Sequence, residues 1–350
     1  MDIVRRVEQE VASALGDVPR VVLAVSGGLD SMVLLDAAYR AAPTRIACVA
    51  VFDHGTGSAA RAAVEHVRLR AAALGVPFRT AAAAAGLPAT EAAWREARWR
   101  FLRAVASELD AVVATGHTLD DQLETVLMRA LRDAGARGLA ALLAGRGVVR
   151  PLLGRRRTDL EVYAAARGVS WIEDPSNASL GYLRNRVRHE VLPALERARP
   201  SLAAALMEIA ERAWTLRREV EAFIDQHIRI EERGRSLRVP HADLAGYDAR
   251  GLRMLWPAIA GRIGLALDRR GTERVAAFTI SGRSGGRAQL AGPYEVLRQG
   301  RWLLLRPERD GRPLAGTRRL KRAVSLGGWR FRRHDGSGSV VDLLWAYLPR

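Results

Sequence analysis

The chain has 350 residues, 49% hydrophobic and 27% charged, a balance that fits a globular protein of about two domains and argues against fibrous or disordered classes. Its 55 Lys and Arg outnumber 38 Asp and Glu, giving a net charge of +17 that favours a nucleic acid partner. Cys48 is the single cysteine, which excludes internal disulfides and cysteine-rich zinc sites, and the sequence offers neither a membrane span nor a secretion signal.

The first half of the chain alternates short apolar runs with helical stretches. The predicted strands are residues 21–25, 46–52, 77–80 and 111–115, and the helices that follow them are residues 31–40, 60–74, 91–108 and 120–132. Continuous apolar strands between helices predict an α/β fold with a parallel, doubly wound sheet covered on both faces. Ligands of such sheets bind at the carboxyl ends of the strands. We therefore expect the chemistry to gather along that edge.

A glycine-rich turn follows the first predicted strand and opens a helix. This geometry suits a pyrophosphate held by backbone N–H groups at a helix N-terminus. A simple helix cap is the alternative interpretation. The turn is neither a Walker A loop, which needs a lysine, nor a GxGxxG motif. Its residues are Ser26, Gly27, Gly28, Leu29, Asp30 and Ser31.

A second polar string, GHTLDDQLET at 116–125, follows the fourth predicted strand. On a helix that begins near Asp120, the carboxylates of Asp121 and Glu124 share a face. Carboxylates at a helix start also act as ordinary caps. Together with His117 at the strand tip, they form a cluster that could hold Mg²⁺ or an ammonium group.

A third string occupies residues 171–193 and reads WIEDPSN followed by YLRNRVRHEVLP. Arg184 and Arg188 would lie in a basic stripe on a helix, for which a solvated helix face is the alternative interpretation. Helical periodicity then continues over about 202–232 and 268–279, and residues 289–305 alternate like a small meander of strands. We predict a mostly helical domain at 199–306 and a short C-terminal segment at 307–350, which could be a reduced further domain.

Together these strings resemble the tRNA(Ile)-lysidine synthases, a family of the PP-loop ATP pyrophosphatases. The resemblance covers roughly the part of the chain before residue 199. It also includes residues 150–153 and a segment at 91–99 in which Trp99 stands where tyrosine is usual. It implies a PP-loop catalytic domain at 1–198, a tRNA-binding role for 199–306 and a cytoplasmic ligase without membrane association; a homodimer is left open.

The resemblance also implies the reaction. ATP adenylates the C2 carbonyl oxygen of the wobble cytidine of a tRNA(Ile) with a CAU anticodon, and free L-lysine then displaces AMP. Mg²⁺ would accompany the ATP. Two acids would hold the ammonium of lysine, and one of these acids or His117 would accept its proton.

These implied roles fall on three groups of residues. ATP binding is expected of Ser26, Gly27, Gly28, Leu29, Asp30, Ser31, His54 and Gly116. Catalysis is expected of Asp30, His117, Asp121, Glu124, Arg184 and Arg186. The metal is expected on Asp30 and Asp120.

Several rival functions are open to the sequence. A PP-loop tRNA thiolase needs catalytic or cluster-binding cysteines, and Cys48 stands alone in a predicted strand. Amide-forming synthetases of this fold need a source of ammonia, and no glutaminase-like domain accompanies the predicted sheet. A non-catalytic nucleic acid binder with a decayed ATP site is a further alternative. The intact strings at 26–31 and 120–124 argue against that decay.

Overall fold

The computed structural model describes residues 2–55, 57–84, 86–87, 90–131, 136–144, 147–173, 183–290, 292–308, 323–326 and 329–332. The chain separates into two compact units, Met1–Ala222 and Phe223–Arg350. Every residue of the predicted site belongs to the first unit. The expected segments 174–182 and most of 307–350 lie outside the described residues.

The first unit contains five strands, β1 (Val21–Ala24), β2 (Ile46–Asp53), β3 (Phe78–Ala82), β4 (Val112–Thr115) and β5 (Val148–Val149). Its helices are α1 (Ile3–Gly16), α2 (Leu29–Ala41), α3 (Ser58–Ala73), α4 (Glu91–Glu108), α5 (Leu119–Ala130), α6 (Ala136–Leu139), α7 (Arg157–Arg167), α8 (Leu183–Arg186), α9 (Leu192–Ala198) and α10 (Leu202–His227). Two 3-10 turns, Pro43–Arg45 and Ala141–Ala144, and a π-helical turn, Val187–Val191, complete it.

The five strands form one parallel sheet in the order β3-β2-β1-β4-β5. The chain builds outward from β1 to β3 on one side and then crosses to β4 on the other. The boundary between β1 and β4 is therefore the topological switch point, where open α/β sheets bind ligands at their carboxyl ends. The predicted fold is confirmed. β5 was not predicted, because two residues are too few to give a periodic signal.

Apolar residues at helical spacing dock the helices on this sheet. In α1, Val4, Val7, Val11 and Leu15 are buried on one face, and the side chain of Asp2 caps the helix by accepting from the Val4 N–H. Cys48 is buried on β2 and packs with Val22 and Leu102, and burial raises the pKa of its thiol to about 11. The thiol is thus part of the core.

A buried cluster of four polar side chains lies between three helices. Asp36 of α2 accepts hydrogen bonds from Arg40 Nε at 2.7 Å, Arg70 Nη2 of α3 at 2.9 Å and the Tyr163 hydroxyl of α7 at 2.9 Å. Asp36 is 2% exposed, and Tyr163 is fully buried. We call these four residues the Asp36 node. It ties α2, α3 and α7 together beneath the sheet.

The second unit is built on an antiparallel sheet in the order β6-β7-β10-β9-β8. The strands are β6 (Glu231–Arg233), β7 (Ser236–Pro240), β8 (Arg287–Gln289), β9 (Tyr294–Gln299) and β10 (Trp302–Pro307), and a two-stranded pair is formed by β11 (Ala323–Leu326) and β12 (Trp329–Arg332). The helices are α11 (His241–Leu244), α12 (Ala249–Gly261) and α13 (Arg269–Ser281). Trp256 of α12 is fully buried and donates from Nε1 to Thr279 Oγ1 at 2.8 Å.

The sequence predictions for this region hold in part. The helix predicted over 202–232 ends at His227, and residues 231–233 form a strand instead. That strand has three exposed, charged residues, so it gives no alternating apolar pattern. The meander predicted over 289–305 corresponds to β9 and β10. Within the described residues, no helix has both the length and the apolar character needed to cross a membrane.

Candidate active site at the carboxyl edge of the parallel sheet

The glycine-rich turn connects the end of β1 to the start of α2. Gly28 is the cap residue of α2, and its carbonyl accepts from the backbone of Ser31 and Met32. Ser31 also donates from Oγ to Gly28 O at 2.9 Å and accepts from Ser26 N–H at 3.1 Å. Leu29 is buried in the core, with 1% of its surface exposed. The turn is a loop at a helix N-terminus, a geometry that suits phosphate oxygens, and we call it the phosphate cradle.

Two glycines are required by the close packing around this cradle. Gly27 has φ +87°, and a Cβ there would lie 2.9 Å from Ala63 Cβ. Gly116 follows β4, and a Cβ there would lie 2.7 Å from the carbonyl oxygen of Asp30. Gly116 thereby lets the end of β4 touch the phosphate loop. The loop is also tied to the third string, since Ile172 N–H donates to Gly27 O at 2.9 Å.

Asp30 is the acid of the loop. Its Oδ2 lies 3.5 Å from Arg157 Nη1, whereas its Oδ1 is buried with no hydrogen-bond partner among the described residues. Burial raises the pKa of Asp30 to about 6, against the opposing effect of Arg157. A buried, unsatisfied carboxylate oxygen beside a phosphate cradle fits a hard cation such as Mg²⁺.

Asp121 and Glu124 are brought together on α5, as predicted. Glu124 is 1% exposed, and Asp121 is also buried. Asp121 completes a capping box with Thr118, whose backbone N–H donates to Asp121 Oδ2 at 3.0 Å. Burial alone would raise the pKa of Asp121, but Arg184, His117 and the Thr118 N–H outweigh it and hold this pKa below its usual value. We call Asp121 and Glu124 the acid pair.

Two arginines cover the acid pair. Arg184 donates to Glu124 Oε2 at 3.0 Å and to Asp121 Oδ1 at 2.9 Å. Arg188 donates to Glu124 Oε1 at 2.6 Å and Oε2 at 3.1 Å, and to Asp121 Oδ1 at 3.0 Å. Sequence reasoning gave Arg188 no role in the site. The signal was its spacing of four residues from Arg184, which puts both side chains on one helical face.

Arg186 is not brought to the acid pair. It lies two residues from Arg184, so its side chain projects from another face of the helix and is exposed. The structure therefore gives it no part in this site. Its predicted catalytic role, toward the carboxylate of lysine or the phosphates, stays a prediction.

Asp120 is adjacent in sequence but bonded elsewhere. Its Oδ1 accepts from Arg156 Nη1 at 2.7 Å, and its Oδ2 accepts from the Arg157 backbone N–H at 2.7 Å. Both oxygens are thus occupied by the segment that begins α7. This arrangement does not support the predicted metal role of Asp120, because a cation would have to displace these donors. Within the described residues, no group of three or more His, Cys, Asp or Glu side chains is arranged to hold a metal.

The two predicted site histidines follow β2 and β4, the strands on either side of β1. His117 bonds through Nδ1 to Thr115 Oγ1 at 2.7 Å, and burial lowers the pKa of its ring to about 4, so it is neutral at pH 7. His54 follows the end of β2, where its ring packs edge-on against Phe52 with centroids 5.2 Å apart and lies 6.1 Å from Trp94. His117 is therefore close to the acid pair, and His54 forms part of an aromatic wall.

Arg150 is a further charged group that sequence reasoning did not assign. It follows β5 directly, and its Nε is buried with no hydrogen-bond partner among the described residues. Burial and the neighbouring charge of Arg95 lower the pKa of Arg150 to about 10. A buried guanidinium of this kind suits the phosphate or carboxylate of a ligand. The edge of the sheet thus combines a glycine-rich loop at a helix N-terminus, a buried acid pair and several arginines.

Comparison with known proteins follows the same division of the chain. A family model described as the PP-loop domain matches residues 2–195. The tRNA(Ile)-lysidine synthase of Salinispora tropica is 37% identical over 318 residues, which cover 85% of this chain and 93% of that protein. The protein of the same name from Chromobacterium violaceum is 41% identical over 213 residues, 57% of this chain and 47% of that protein. The chain thus spans most of the first relative and about half of the second.

Among solved structures, the U34-tRNA thiolase NcsA of Methanococcus maripaludis, determined with its [4Fe-4S] cluster, matches with a TM-score of 0.52 and 16% identity. The match covers 61% of this chain and 80% of the thiolase. At this level of identity the likeness concerns the fold.

Proposed function

Because this chain belongs to the tRNA(Ile)-lysidine synthase family of PP-loop enzymes, we propose that it ligates free L-lysine to C2 of the wobble cytidine in a tRNA(Ile) with a CAU anticodon. ATP is consumed and AMP and pyrophosphate are released. The observation that carries the proposal is the contact between Gly116 and Asp30, which sets the phosphate cradle beside the acid pair. One pocket edge thereby serves both an adenylyl donor and an amine.

In the first step, the cytidine O2 attacks the α-phosphorus of ATP and pyrophosphate leaves. The developing negative charge would fall on oxygens that backbone N–H groups of the cradle meet, and the hydroxyls of Ser26 and Ser31 would join them by leaving their bonds within the loop. Asp30 would hold Mg²⁺ through the carboxylate oxygen that has no protein partner. That cation would supply charge neutralisation on the departing phosphates. Arg157, which contacts the other oxygen of Asp30, is placed to reach the same phosphates.

In the second step, the ε-amine of lysine attacks C2 and the bond from C2 to O2 breaks, so that O2 leaves on AMP. The acid pair would hold the reacting ammonium, and Arg150 is suited to the carboxylate of lysine or a phosphate. His117 is neutral and lies beside Asp121, which leaves its ring able to take a proton as attack proceeds. The low pKa of His117 means that it would release that proton readily.

For the tRNA itself, residues 199–306 remain our proposed binding region. The sheet of the second unit carries an aromatic ring that lies against two guanidinium groups. The ring centre of Trp302 lies 4.4 Å from the guanidinium carbon of Arg238 and 5.4 Å from that of Arg301. Arginine and aromatic side chains together contact RNA phosphates and unstacked bases. If this surface binds tRNA, replacing Trp302 should weaken tRNA affinity. If it is only a solvated sheet face, the replacement should leave tRNA affinity unchanged.

A tRNA thiolase is the main rival within the fold. Sulfur transfer would require a reactive cysteine, and the single cysteine, Cys48, is buried with a pKa near 11. Its thiol is therefore neither accessible nor ionised at neutral pH. This supports ligation over thiolation.

The test uses the purified protein with ATP, Mg²⁺, labelled lysine and a tRNA(Ile) transcript that carries the CAU anticodon. We expect label on the tRNA and a mass increase confined to the wobble cytidine. A tRNA(Met) transcript, which has the same anticodon in a different body, is the matched control. Lysine incorporation that does not depend on ATP, or none with a folded protein, would overturn the proposal.

A further inference from the structure

The acid pair is covered by charges of the opposite sign. Arg184 and Arg188 together donate five hydrogen bonds of 2.6 to 3.1 Å to its carboxylates. Two carboxylates and two guanidiniums carry no net formal charge. A pocket that only had to attract an ammonium would be expected to leave its acids unpaired.

Both arginines come from one short segment. Arg184 lies in α8, and Arg188 lies in the π-helical turn Val187–Val191 that continues it. Their side chains are 28% and 31% exposed, whereas Glu124 is 1% exposed. The guanidiniums thus lie between the buried acids and the solvent, where a ligand would enter.

The reaction makes opposite demands on the acid pair. An ammonium group binds well between two carboxylates, but it must give up one proton before its nitrogen lone pair can attack C2. An amine has a reference pKa near ~10.4, and unpaired carboxylates within about 4–6 Å would raise it further. Positive charges that face the same carboxylates reduce this effect.

Resting on the function proposed above, we propose that Arg184 and Arg188 are positioning residues that cancel the charge of the acid pair, so that a lysine amine bound there can release its proton. The cost is weaker binding of lysine, and the gain is a nucleophile at neutral pH. As attack proceeds, the N–C2 bond forms, the C2–O2 bond breaks, AMP carries away the electron pair, and the amine proton passes to His117 or water.

Other charged groups surround the pocket, and some of them are paired with each other. Asp30 is faced by Arg157, Asp120 is paired with Arg156, and His117 is neutral. The groups that act on Asp121, His117 and Asp30 from the surrounding elements are Arg98, Arg150, Arg157, Arg184, Arg188 and Asp120. Of these, Arg184 and Arg188 donate hydrogen bonds to both acids of the pair.

The test compares the parent protein with Arg188→Gln, which removes the charge but keeps an amide donor. Initial rates are measured from pH 6 to 10 against lysine, at saturating ATP and tRNA. We expect the KM for lysine to fall several-fold and kcat at pH 7.5 to fall by about tenfold or more. In the plot of kcat against pH, the rising limb should shift to higher pH by about one to three pH units, so that kcat recovers at high pH.

Two further variants separate charge from structure. Arg188→Lys restores the positive charge and should return the limb toward that of the parent. Arg197→Gln removes one exposed positive charge from α9 and should leave the profile unchanged. If Arg188→Gln fails to fold, Arg184→Gln is measured in the same way.

The outcomes decide between the possibilities. A lower kcat at every pH with an unmoved limb, or a raised KM for lysine, would overturn the inference and leave a purely structural role for the arginines. Lysine incorporation by the parent protein is measured in parallel. Its absence would refute the proposed function, whereas a normal parent with an unmoved limb in Arg188→Gln refutes only the role of the arginines.

Discussion

The first unit contains two buried clusters of the same chemistry, the Asp36 node and the acid pair with its arginines. Each joins nearly inaccessible carboxylate oxygens to two guanidiniums. The donors of the Asp36 node come from three helices, α2, α3 and α7, whereas those of the acid pair come from one segment beside the phosphate loop. A cluster bonded by several core helices holds the fold together, and one covered by a single segment can be opened by a ligand.

The largest expected effect is at the acid pair. Asp121→Asn keeps an oxygen that can accept from the Thr118 N–H but removes the charge that would hold lysine. We expect lysine-dependent turnover to fall by about 10³-fold, within the range for a lost catalytic charge or proton acceptor, with ATP affinity nearly unchanged. Rates of lysine incorporation and nucleotide titrations measure the two effects. A parent-like KM for lysine would show that the acid pair is structural.

The matched change in the Asp36 node should act on stability instead. Asp36→Asn removes the charge that Arg40 and Arg70 face, and we expect the free energy of unfolding to fall by about 2 kcal/mol. This is less than for a fully buried pair, since both arginines are more than a third exposed and can reach water. Urea unfolding followed by circular dichroism gives the change. An altered KM for lysine in the folded variant would show that the Asp36 node affects lysine binding as well as stability.

Asp30 allows a third test, because its carboxylate lacks the full set of partners that the two clusters provide. Its pKa is raised from 3.8 to about 6, so the folded protein binds this proton more tightly than the unfolded chain. The stability that the neutral acid contributes is therefore present below about pH 4 and is lost as pH rises through 6. At pH 8, Asp30→Asn should unfold with a free energy higher by about 2 to 3 kcal/mol than the parent, and at pH 4 the two should nearly coincide.

Asp120→Asn is the control for this test. Asp120 is fully paired, so its replacement should lower stability at pH 8 instead of raising it. Thermal melts at pH 4 and pH 8 distinguish the two variants. Equal destabilisation by both would mean that Asp30 is as well satisfied as Asp120.

The smallest expected effect comes from separating the phosphate loop from the end of β4 without changing any charged side chain. A methyl group in Gly116→Ala would meet the carbonyl oxygen of Asp30, so the end of β4 and the phosphate loop must separate slightly. We expect a loss of about 1 to 2 kcal/mol in unfolding free energy and a raised KM for ATP. Gly16→Ala, where no atom lies within 4 Å of the new Cβ, is the control: it should leave the KM for ATP unchanged and should not lower the unfolding free energy, because alanine is favoured over glycine in a helix. An unchanged KM for ATP in Gly116→Ala would argue that this contact does not set the site.

The sequence predicted the parallel sheet because its strands are continuous apolar runs that alternate with helices, and the helix at Glu91–Glu108 was predicted to the residue. It also predicted that Asp121 and Glu124 lie together, because residues three apart share a face of a helix. β5 and β6 were missed, because strands of two and three residues show no periodicity. Sequence patterns predict a contact where the spacing of two residues along one helix or strand determines that their side chains lie together.

Long-range pairing could not be predicted in the same way. Asp120 was expected to bind metal, but it is bonded by Arg156 and the Arg157 backbone, which are more than thirty residues away in sequence. Arg188, which the structure brings to the acid pair, was not predicted as a site residue for a different reason. The helical spacing that selects Arg188 was visible in the sequence, but the acids that it would face were known only from the fold. Residues 174–182 of the third string lie outside the described residues.

The burial of Cys48 has a practical consequence. A thiol that is 1% exposed, with a pKa near 11, is shielded from maleimide reagents at neutral pH. Since the chain has no other cysteine, any cysteine introduced at the surface would be the sole reactive one. Fluorophores or spin labels could then be attached at chosen positions in either unit without first removing a native thiol.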